Sequence, residues 1–563
     1  MYRRRLLEKL EQWRIDSHRK PLVIRGARQV GKTTLVNQFG KQFKQYIHVN
    51  LERPEDVALF KTKTSMEVLV QNLLLRHNMQ RRAIEDTLLF IDEIQESPEV
   101  VNLLRYFYED MPELAVIAAG SMIENVHGTT LTFPVGRVEF LVLRPVSFEE
   151  FLFAGEQHAL IDAFHNMPVQ EFAYTELFKA FHRYAYLGGM PEILARYLER
   201  KDLTALVPVY ESLMTTYLND VEKYARNEAQ THVIRHTIQQ AMLNAGKRIS
   251  FSGLGQQIYP SKSIGEVLRA LEKTHLVSLV YPTTSAIPPC IPDHGKTPRI
   301  QVLDTGLANF MADIQRDLIG IDDLSSIYQG TLIEHLVGQE LLSFQSGPLS
   351  KLNFWVRQKN QSDAEVDFIY PYQGMLVPVE VKSGAHGTLR SLHVFMDQSP
   401  LTFAIRFYGG QFQLTTCQTA LGKQYTLVNL PYFLASRIDY YIQYILLNPP
   451  EVPVLSYVKE REMRYPEKAV SIKPDATIVE LDERHWSILA ACLDGPRKAS
   501  ELLTHVLRLT HQTRNRRLFL SPLVSQGYLH YHEDSSSRAP AKSYTLTANG
   551  KRLLKSRSNV LHE

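Results

Sequence analysis

Residues 21–35, PLVIRGARQVGKTTL, constrain the fold more than any other stretch of this 563-residue chain. Gly26, Gly31, Lys32 and Thr33 stand at the spacing of a phosphate-binding loop, G-x-x-x-x-G-K-T. Leu22-Val23-Ile24 ahead of it suits a buried strand, and Leu35, Val36 and Phe39 behind it fall at helical spacing. Glycines at these places let successive backbone N–H groups turn toward phosphate oxygens, which a Cβ would hinder. The run Gly26-Ala27-Arg28-Gln29-Val30-Gly31-Lys32-Thr33-Thr34 is therefore expected to cradle a nucleoside triphosphate. Lys32 would reach its β- and γ-phosphates, Thr33 would hold Mg²⁺, and the helix N-terminus would add its positive dipole end.

A loop of this kind needs a carboxylate partner at the same sheet edge, and LLFIDEIQ over 88–95 supplies one. Four apolar residues predict a buried strand that ends in Asp92-Glu93. Asp92 is expected to anchor the Mg²⁺ shell, and Glu93 to polarise the water that attacks the γ-phosphate. YIHVNL (46–51) and LAVIAAG (114–120) read as further buried strands. Ser121, after the second, either senses the γ-phosphate or caps a helix. A strand over 138–143 and a helix opened by the capping box Ser147–Glu150 follow. Strands alternating with helices over about 150 residues imply a three-layer α/β domain with a parallel sheet. Arg137 is a candidate to reach nucleotide in a neighbouring copy.

Together, GARQVGKTT, LLFIDEIQ, AAGS, FPVGRVEFLVLRPVSFEEF and YLGGMPE resemble the prokaryotic AAA-type ATPases that carry a nuclease-like C-terminal domain. The resemblance covers about residues 1–434. It implies an ATPase core, then a helix-turn-helix segment, then a restriction-endonuclease-like fold. Residues 151–224 read as largely helical, broken at Leu187-Gly188-Gly189-Met190-Pro191, and suit a lid. Residues 232–281 follow the helix, helix, helix, strand order of a winged helix, with Lys262 and Arg269 placed to face phosphates.

A second chemical feature lies at Glu365-Val-Asp367 and Val377-Pro-Val-Glu380-Val-Lys382. Alternation predicts two strands joined at Tyr372-Gln373-Gly374, with Glu380 and Lys382 on one face. This is the Asp…Glu-x-Lys pattern of PD-(D/E)xK nucleases, in which carboxylates hold Mg²⁺ and the lysine supports developing charge. Glu334, on the preceding helix, is the expected third acidic ligand, with Glu340 in reserve. Asp367, Glu334 and Glu380 are thus the metal candidates here, and Lys382 joins them as a catalytic candidate.

Beyond Pro431 the character changes, and Pro, Lys and Glu mix through a linker to about Pro474. The last stretch resembles the winged-helix tails of several bacterial enzymes. Arg514, Arg516 and Arg517 would start its recognition helix, with Arg538 and Lys542 in the wing. A net charge of only +3 means that nucleic acid would be met through such local patches. Three dispersed cysteines argue against a disulfide framework, and no apolar run is long enough to span a bilayer. The basic, amphipathic N-terminus contains Glu8, Glu11 and Asp16 and reads as a first helix, not a targeting segment.

The expected protein is an α/β multidomain, cytoplasmic, ATP- and Mg²⁺-using ATPase that acts on or near DNA, with a possible homo-oligomeric state. Its expected parts are an AAA-type core (1–160), a helical lid (161–230), a winged-helix-like segment (231–300), a PD-(D/E)xK nuclease-like domain (301–435), a linker (436–475) and a C-terminal winged helix (476–563). The rival expectation is a nucleotide-gated switch whose nuclease-like fold is only a scaffold.

Overall fold

Short apolar runs become the strands of a parallel sheet: β1 (Leu22–Arg25), β2 (Gln45–Asn50), β3 (Thr87–Asp92), β4 (Ala115–Gly120) and β5 (Glu139–Val142). Their order is β2-β3-β4-β1-β5, and every pairing is parallel. All of β3 and β4 is buried, as both faces of such a sheet require. Period-two alternation sorts the side chains into two layers. Leu22, Ile24, Leu88 and Phe90 pack with Leu10, Trp13, Leu35 and Phe39 of helices Leu6–Ile15 and Lys32–Gly40. Val23, Leu89 and Ile91 pack on the other side with Leu69, Leu73, Val100 and Leu104 of helices Met66–Arg76 and Pro98–Asp110. The N-terminal stretch is thus part of this core.

This is a computed structural model, and it describes residues 3–61, 65–121, 125–126, 129–130, 133–222, 225, 227–314, 331–358, 364–382, 389–448, 483–493, 495–507, 519–520, 523–524, 528–533, 542–547 and 549–554. Among them, no helix is long and apolar enough to cross a membrane.

From 148 to 222 the chain is mostly helical, including Phe148–Ala154, Tyr174–Leu187, Pro191–Arg200 and Val207–Glu222. The glycine pair at 188–189 is a packed junction. Gly188 has φ +72°, and a Cβ on it would lie 2.2 Å from Asp304 Oδ1. The Gly189 N–H donates to Asp304 Oδ2 at 2.5 Å, while Asp304 also caps helix Thr305–Met311. The break expected at this motif is pinned to a segment more than a hundred residues away.

Helices Glu228–Leu243, Phe251–Leu254 and Ser261–Lys273 lead into β6 (Val277–Val280), β7 (Pro282–Thr283) and β8 (Arg299–Val302). β6 and β8 pair antiparallel. After helix Thr331–Ser343 come β9 (Asn353–Val356), β10 (Glu365–Tyr372), β11 (Met375–Val381), β12 (Phe403–Tyr408), β13 (Gln413–Gln418) and β14 (Gln424–Pro431). They form a mixed sheet, β13-β14-β12-β11-β10-β9-β7, with β10 and β11 as the expected hairpin.

One continuous apolar core joins the first sheet to this second one, so residues 1–463 form one compact unit and 464–563 another. The first described residues of the linker expected over 436–475 are helical. Ile438, Tyr441, Ile442 and Ile445 are buried at helical spacing on helix Ile438–Leu447, which docks on the core. Residues 449–482 lie outside the described residues. In the second unit, helix Glu483–Ala491 precedes β15 (Arg497–Lys498), β16 (Leu529–Glu533) and β17 (Lys542–Leu546), ordered β15-β17-β16. Ile488, Leu502, Leu503 and Leu523 form its core. Arg514, Arg516, Arg517 and Arg538 lie outside the described residues, and Lys542 opens β17.

Glu340, the reserve acidic candidate, is a structural bracket. Fully buried, it accepts the Phe148 N–H at 3.2 Å on each oxygen and the Tyr184 hydroxyl at 2.7 Å. Burial pushes its carboxyl up to about 7 and that of Asp304 up to about 6. A carboxyl raised in the folded state binds its proton more tightly there than in the unfolded chain. Its contribution is fully present below the unfolded value and is lost as pH rises through the folded one. The first unit should therefore lose stability as pH rises from about 4.5 to about 7. Glu340→Gln should flatten that slope in denaturant titrations at several pH values; an unaltered slope would contradict the assignment.

Candidate functional site

The phosphate loop joins β1 to helix Lys32–Gly40, with Gly31 as its N-cap. Gly26 has φ +150°, and a Cβ on it would stand 2.3 Å from the Leu143 carbonyl oxygen. The loop is tied from outside by groups that the motif does not announce. The guanidinium of Arg4 donates to Val30 O at 2.9 Å and to Arg144 O at 2.6 Å, and pairs with Glu150 at 3.1 Å. Arg28 pairs with Asp220 at 3.0 Å, and the Tyr217 hydroxyl donates to Arg28 O at 2.9 Å. Gln29 holds φ 61° without being glycine, strain of the kind stored where a loop must present its backbone.

Lys32 is 6% exposed, and its ammonium donates to Gly26 O at 3.0 Å and Ala27 O at 2.9 Å. Burial lowers its pKa to about 8. Phosphate oxygens arriving beside it would restore the charge that burial disfavours. A cleft of about 670 Å³ opens here, lined among others by Arg28, Gln29, Lys32, Thr33, Thr34 and Glu93. That volume is in the range of small-molecule sites.

At the end of β3, Asp92 Oδ2 accepts the Thr33 hydroxyl at 2.7 Å, and Oδ1 accepts the Glu93 N–H at 3.1 Å. Thr33 and Asp92 are thus side by side, an oxygen pair whose chemistry fits Mg²⁺. Glu93 sits at φ 53°, a costly conformation for a residue with a side chain, which turns it into the cleft. Its carboxylate accepts from Gln95 at 2.5 Å, and burial raises its pKa against that bond. His48 stacks on Phe90 and lies 3.7 Å from Asp92 Oδ2, a neighbour the strand pattern did not reveal.

Ser121 and Arg137 are placed elsewhere. The Ser121 hydroxyl lines a separate cavity and is absent from the cleft's lining. Arg137 makes an exposed pair with Glu109 at 3.0 Å.

The second cluster converges as well. The Phe368–Val379 pairing of β10 with β11 sets Asp367 beside Glu380, and Asp367 Oδ2 accepts the Val381 N–H at 2.8 Å. Lys382 Nζ is 2.5 Å from Glu380 Oε1. Glu334 comes from the helix, as expected. What the pattern did not foretell is Arg299 on β8, which is 8% exposed. Its guanidinium donates to Glu334 at 2.9 Å and Asp367 at 3.0 Å, and it also pairs with Glu365. The pKa of Arg299 is raised: burial pulls it down, but the charges of Asp367, Glu334 and Glu365 outweigh that. Glu334 and Glu380 are both pushed up, first by burial and then by Asp367. Lys382 is raised too, its acidic neighbours overcoming burial.

An open Mg²⁺ site was expected at Glu334, Asp367 and Glu380. The residues are gathered, but a fixed cation stands among them. Among the described residues, no group of three or more His, Cys, Asp or Glu side chains could hold a metal ion. The donor set at this cluster does not fit Mg²⁺ in this arrangement. Glu365 stands two residues before Asp367 on β10, on the same face by period two, and nothing local marked Arg299.

Comparison with known proteins matches an AAA domain over the region of the first of these two sites. Residues 18–152 match the AAA domain, 178–318 a domain of unknown function (DUF8612) and 329–433 another (DUF4143). An uncharacterized protein of Haemophilus influenzae is 23% identical over 243 residues, which are 42% of this chain. The chain spans 54% of that relative's length. The Walker-type ATPase PABY2304 of Pyrococcus abyssi is similar over 55% of this chain and 96% of its own, at 16% identity and TM-score 0.35. A signal-transduction ATPase with numerous domains from Pyrococcus horikoshii is similar over 60% of this chain and 46% of its own, at 15% identity and TM-score 0.22. The Aeropyrum pernix ORC1 protein, solved in complex with DNA, is similar over 55% of this chain and 91% of its own, at 16% identity and TM-score 0.22. The chain carries a P-loop ATPase domain of the AAA type followed by two domains of unknown function.

Proposed function

We propose that ATP hydrolysis at the phosphate loop serves as a switch on or near nucleic acid, and that the acidic cluster is held shut by Arg299. In the cleft, Lys32 grips the β- and γ-phosphates, and Glu93 orients and deprotonates the attacking water. Thr33 and Asp92 would hold Mg²⁺, which when bound neutralises charge on the β- and γ-phosphate oxygens. The backbone N–H groups of residues 26–34 supply the rest of the phosphate cradle.

Arg299 is the observation that carries the switch reading. It sits on β8, yet binds carboxylates from helix Thr331–Ser343 and from β10. An ion bracket of this kind joins two modules, and breaking or keeping it is a two-state choice that nucleotide occupancy can bias. The order of helices 228–273 followed by the β6–β8 pair supports a winged-helix-like reading of 231–300, with Lys262 and Arg269 on the third helix as phosphate contacts. The elements over 483–554 support the same reading for the tail. DNA is the favoured nucleic-acid partner, and a homo-oligomer is compatible with a switch.

A second reading, a Mg²⁺-dependent nuclease, is favoured by one observation. Asp367, Glu380 and Lys382 share one cluster on a β-hairpin, as in PD-(D/E)xK folds, but Arg299 must leave before those carboxylates are available. The two readings separate in one assay. With Mg²⁺, the purified protein should hydrolyse ATP and leave single- and double-stranded DNA and RNA intact. Cleavage that Lys382→Ala abolishes, with ATP turnover preserved, would establish the second reading and remove the first.

A further inference from the structure

The cavity of about 400 Å³ that Ser121 lines shares no side chain with the phosphate-loop cleft. Four stretches of the first unit, with Tyr184, wall it. The ends of β1 and β4 and the turn after β5 bring Arg25, Ser121 and Arg144. Helix Ser261–Lys273 and its exit turn bring Arg269, Lys273 and His275. Strands β6 and β8 bring Val277, Ser278, Gln301 and Val302, and the fourth wall runs from helix Thr331–Ser343 to Lys351.

Its charge is one-sided. Five cationic side chains line it, Arg25, Arg144, Arg269, Lys273 and Lys351, against the single carboxylate of Glu272. Glu272 already accepts the Leu279 N–H at 3.0 Å. Arg269, Lys273 and Lys351 are exposed and Arg25 and Arg144 half-buried, and their summed positive potential would attract an anion.

Two groups inside point to a ligand. Arg144 is in no ion pair among the described residues, and its guanidinium makes one hydrogen bond there, from Nε to Gln345 O at 3.4 Å. Burial pulls its pKa down to about 10, as befits a charge without a local anion. His275 is kept neutral beside it, lowered to about 4 by burial and then by Arg144. Ser121 Oγ is buried, with no hydrogen-bond partner among the described residues. Such a hydroxyl is destabilising unless something pairs with it.

We propose that this cavity is a second anion site, and that its ligand is a small polyphosphorylated molecule, an oligophosphate or the phosphate chain of a nucleotide. Guanidinium forks match phosphate oxygens two at a time, and a serine hydroxyl can donate to a third. The volume suits a small ligand and is too small for a duplex. Arg25 immediately precedes Gly26, so occupancy here acts on the residue next to the phosphate loop. This goes beyond ATP hydrolysis in the cleft and assigns a regulator site to the same unit.

The test uses the full-length chain saturated with Mg²⁺ and a non-hydrolysable ATP analogue, then titrated with sodium tripolyphosphate by calorimetry. One further site is expected, weakened about tenfold or more by Arg144→Gln. The exposed rim variant Lys351→Glu, which has no fold to lose there, should weaken it a few-fold. Saturated protein that takes up no tripolyphosphate overturns the proposal, as does uptake that both variants leave unaltered. A parallel titration uses a 5′-phosphorylated duplex oligonucleotide. Variant-sensitive binding of that probe, with none of tripolyphosphate, assigns the cationic rim to nucleic acid and overturns the small-ligand assignment. If the analogue itself fails to bind, the phosphate-loop reading has failed, and the same titration on nucleotide-free protein still decides the cavity.

Discussion

Replacing Glu93 by Gln is expected to lower the ATP turnover number by about 10²–10⁴-fold while leaving ATP binding nearly intact. Glutamine keeps the shape and can still accept from Gln95, but it cannot take the proton of an attacking water. The position supports this role: Glu93 follows the last residue of β3, in a left-handed conformation that aims its side chain into the cleft. Burial raises its pKa, which brings the carboxylate closer to the ideal for a base at neutral pH. Steady-state phosphate release and equilibrium nucleotide binding, measured on the same preparation, separate the two effects. Unchanged turnover would move the base elsewhere. A matching loss of binding would make Glu93 structural.

Replacing Arg299 by Ala is expected to destabilise the first unit by about 3–5 kcal/mol, the range for removing one partner of a buried ion pair. The loss leaves Glu334 and Asp367 without their ion-pair partner, while Glu365 keeps Arg248 and Glu380 keeps Lys382, so the mutual repulsion of the carboxylates is less compensated. Adding Asp367→Asn to that background should recover part of the stability, because one of the stranded charges is gone. Denaturant melts of the single and double variants report this directly. An Arg299→Ala protein as stable as wild type would mean that the guanidinium is a surface bystander, and the bracket would have to be given up.

How much of this was legible depended on how local each feature is. The phosphate loop and β3 are written in consecutive residues: Gly26, Gly31 and Lys32 encode a backbone shape, and Leu88–Ile91 encode burial. The hairpin at Gln373-Gly374 is equally local, with φ 44° and +77° at those two residues. Asp367, Glu380 and Lys382 followed from period two. Arg299 did not, because its partners lie 35 and 68 residues away and only the packing of β8 against helix Thr331–Ser343 and β10 brings them near. Arg4 was hidden in the same way, since its partner Glu150 lies on helix Phe148–Ala154, far along the chain. Ser121 was placed at the right strand end, but which cavity it lines is set by residues beyond 260. Buried side chains from Leu6 to Ile445 share one apolar core across the parts expected over 1–435. Composition alone does not reveal such sharing.

The most direct measurement follows phosphate release and phosphodiester cleavage in one reaction containing Mg²⁺, ATP and DNA, for wild type and Lys32→Ala. ATP hydrolysis by wild type alone, with the DNA uncut in both, is the predicted result. Hydrolysis that survives the loss of Lys32, or DNA cut by wild type while the Arg299 bracket is intact, would contradict it.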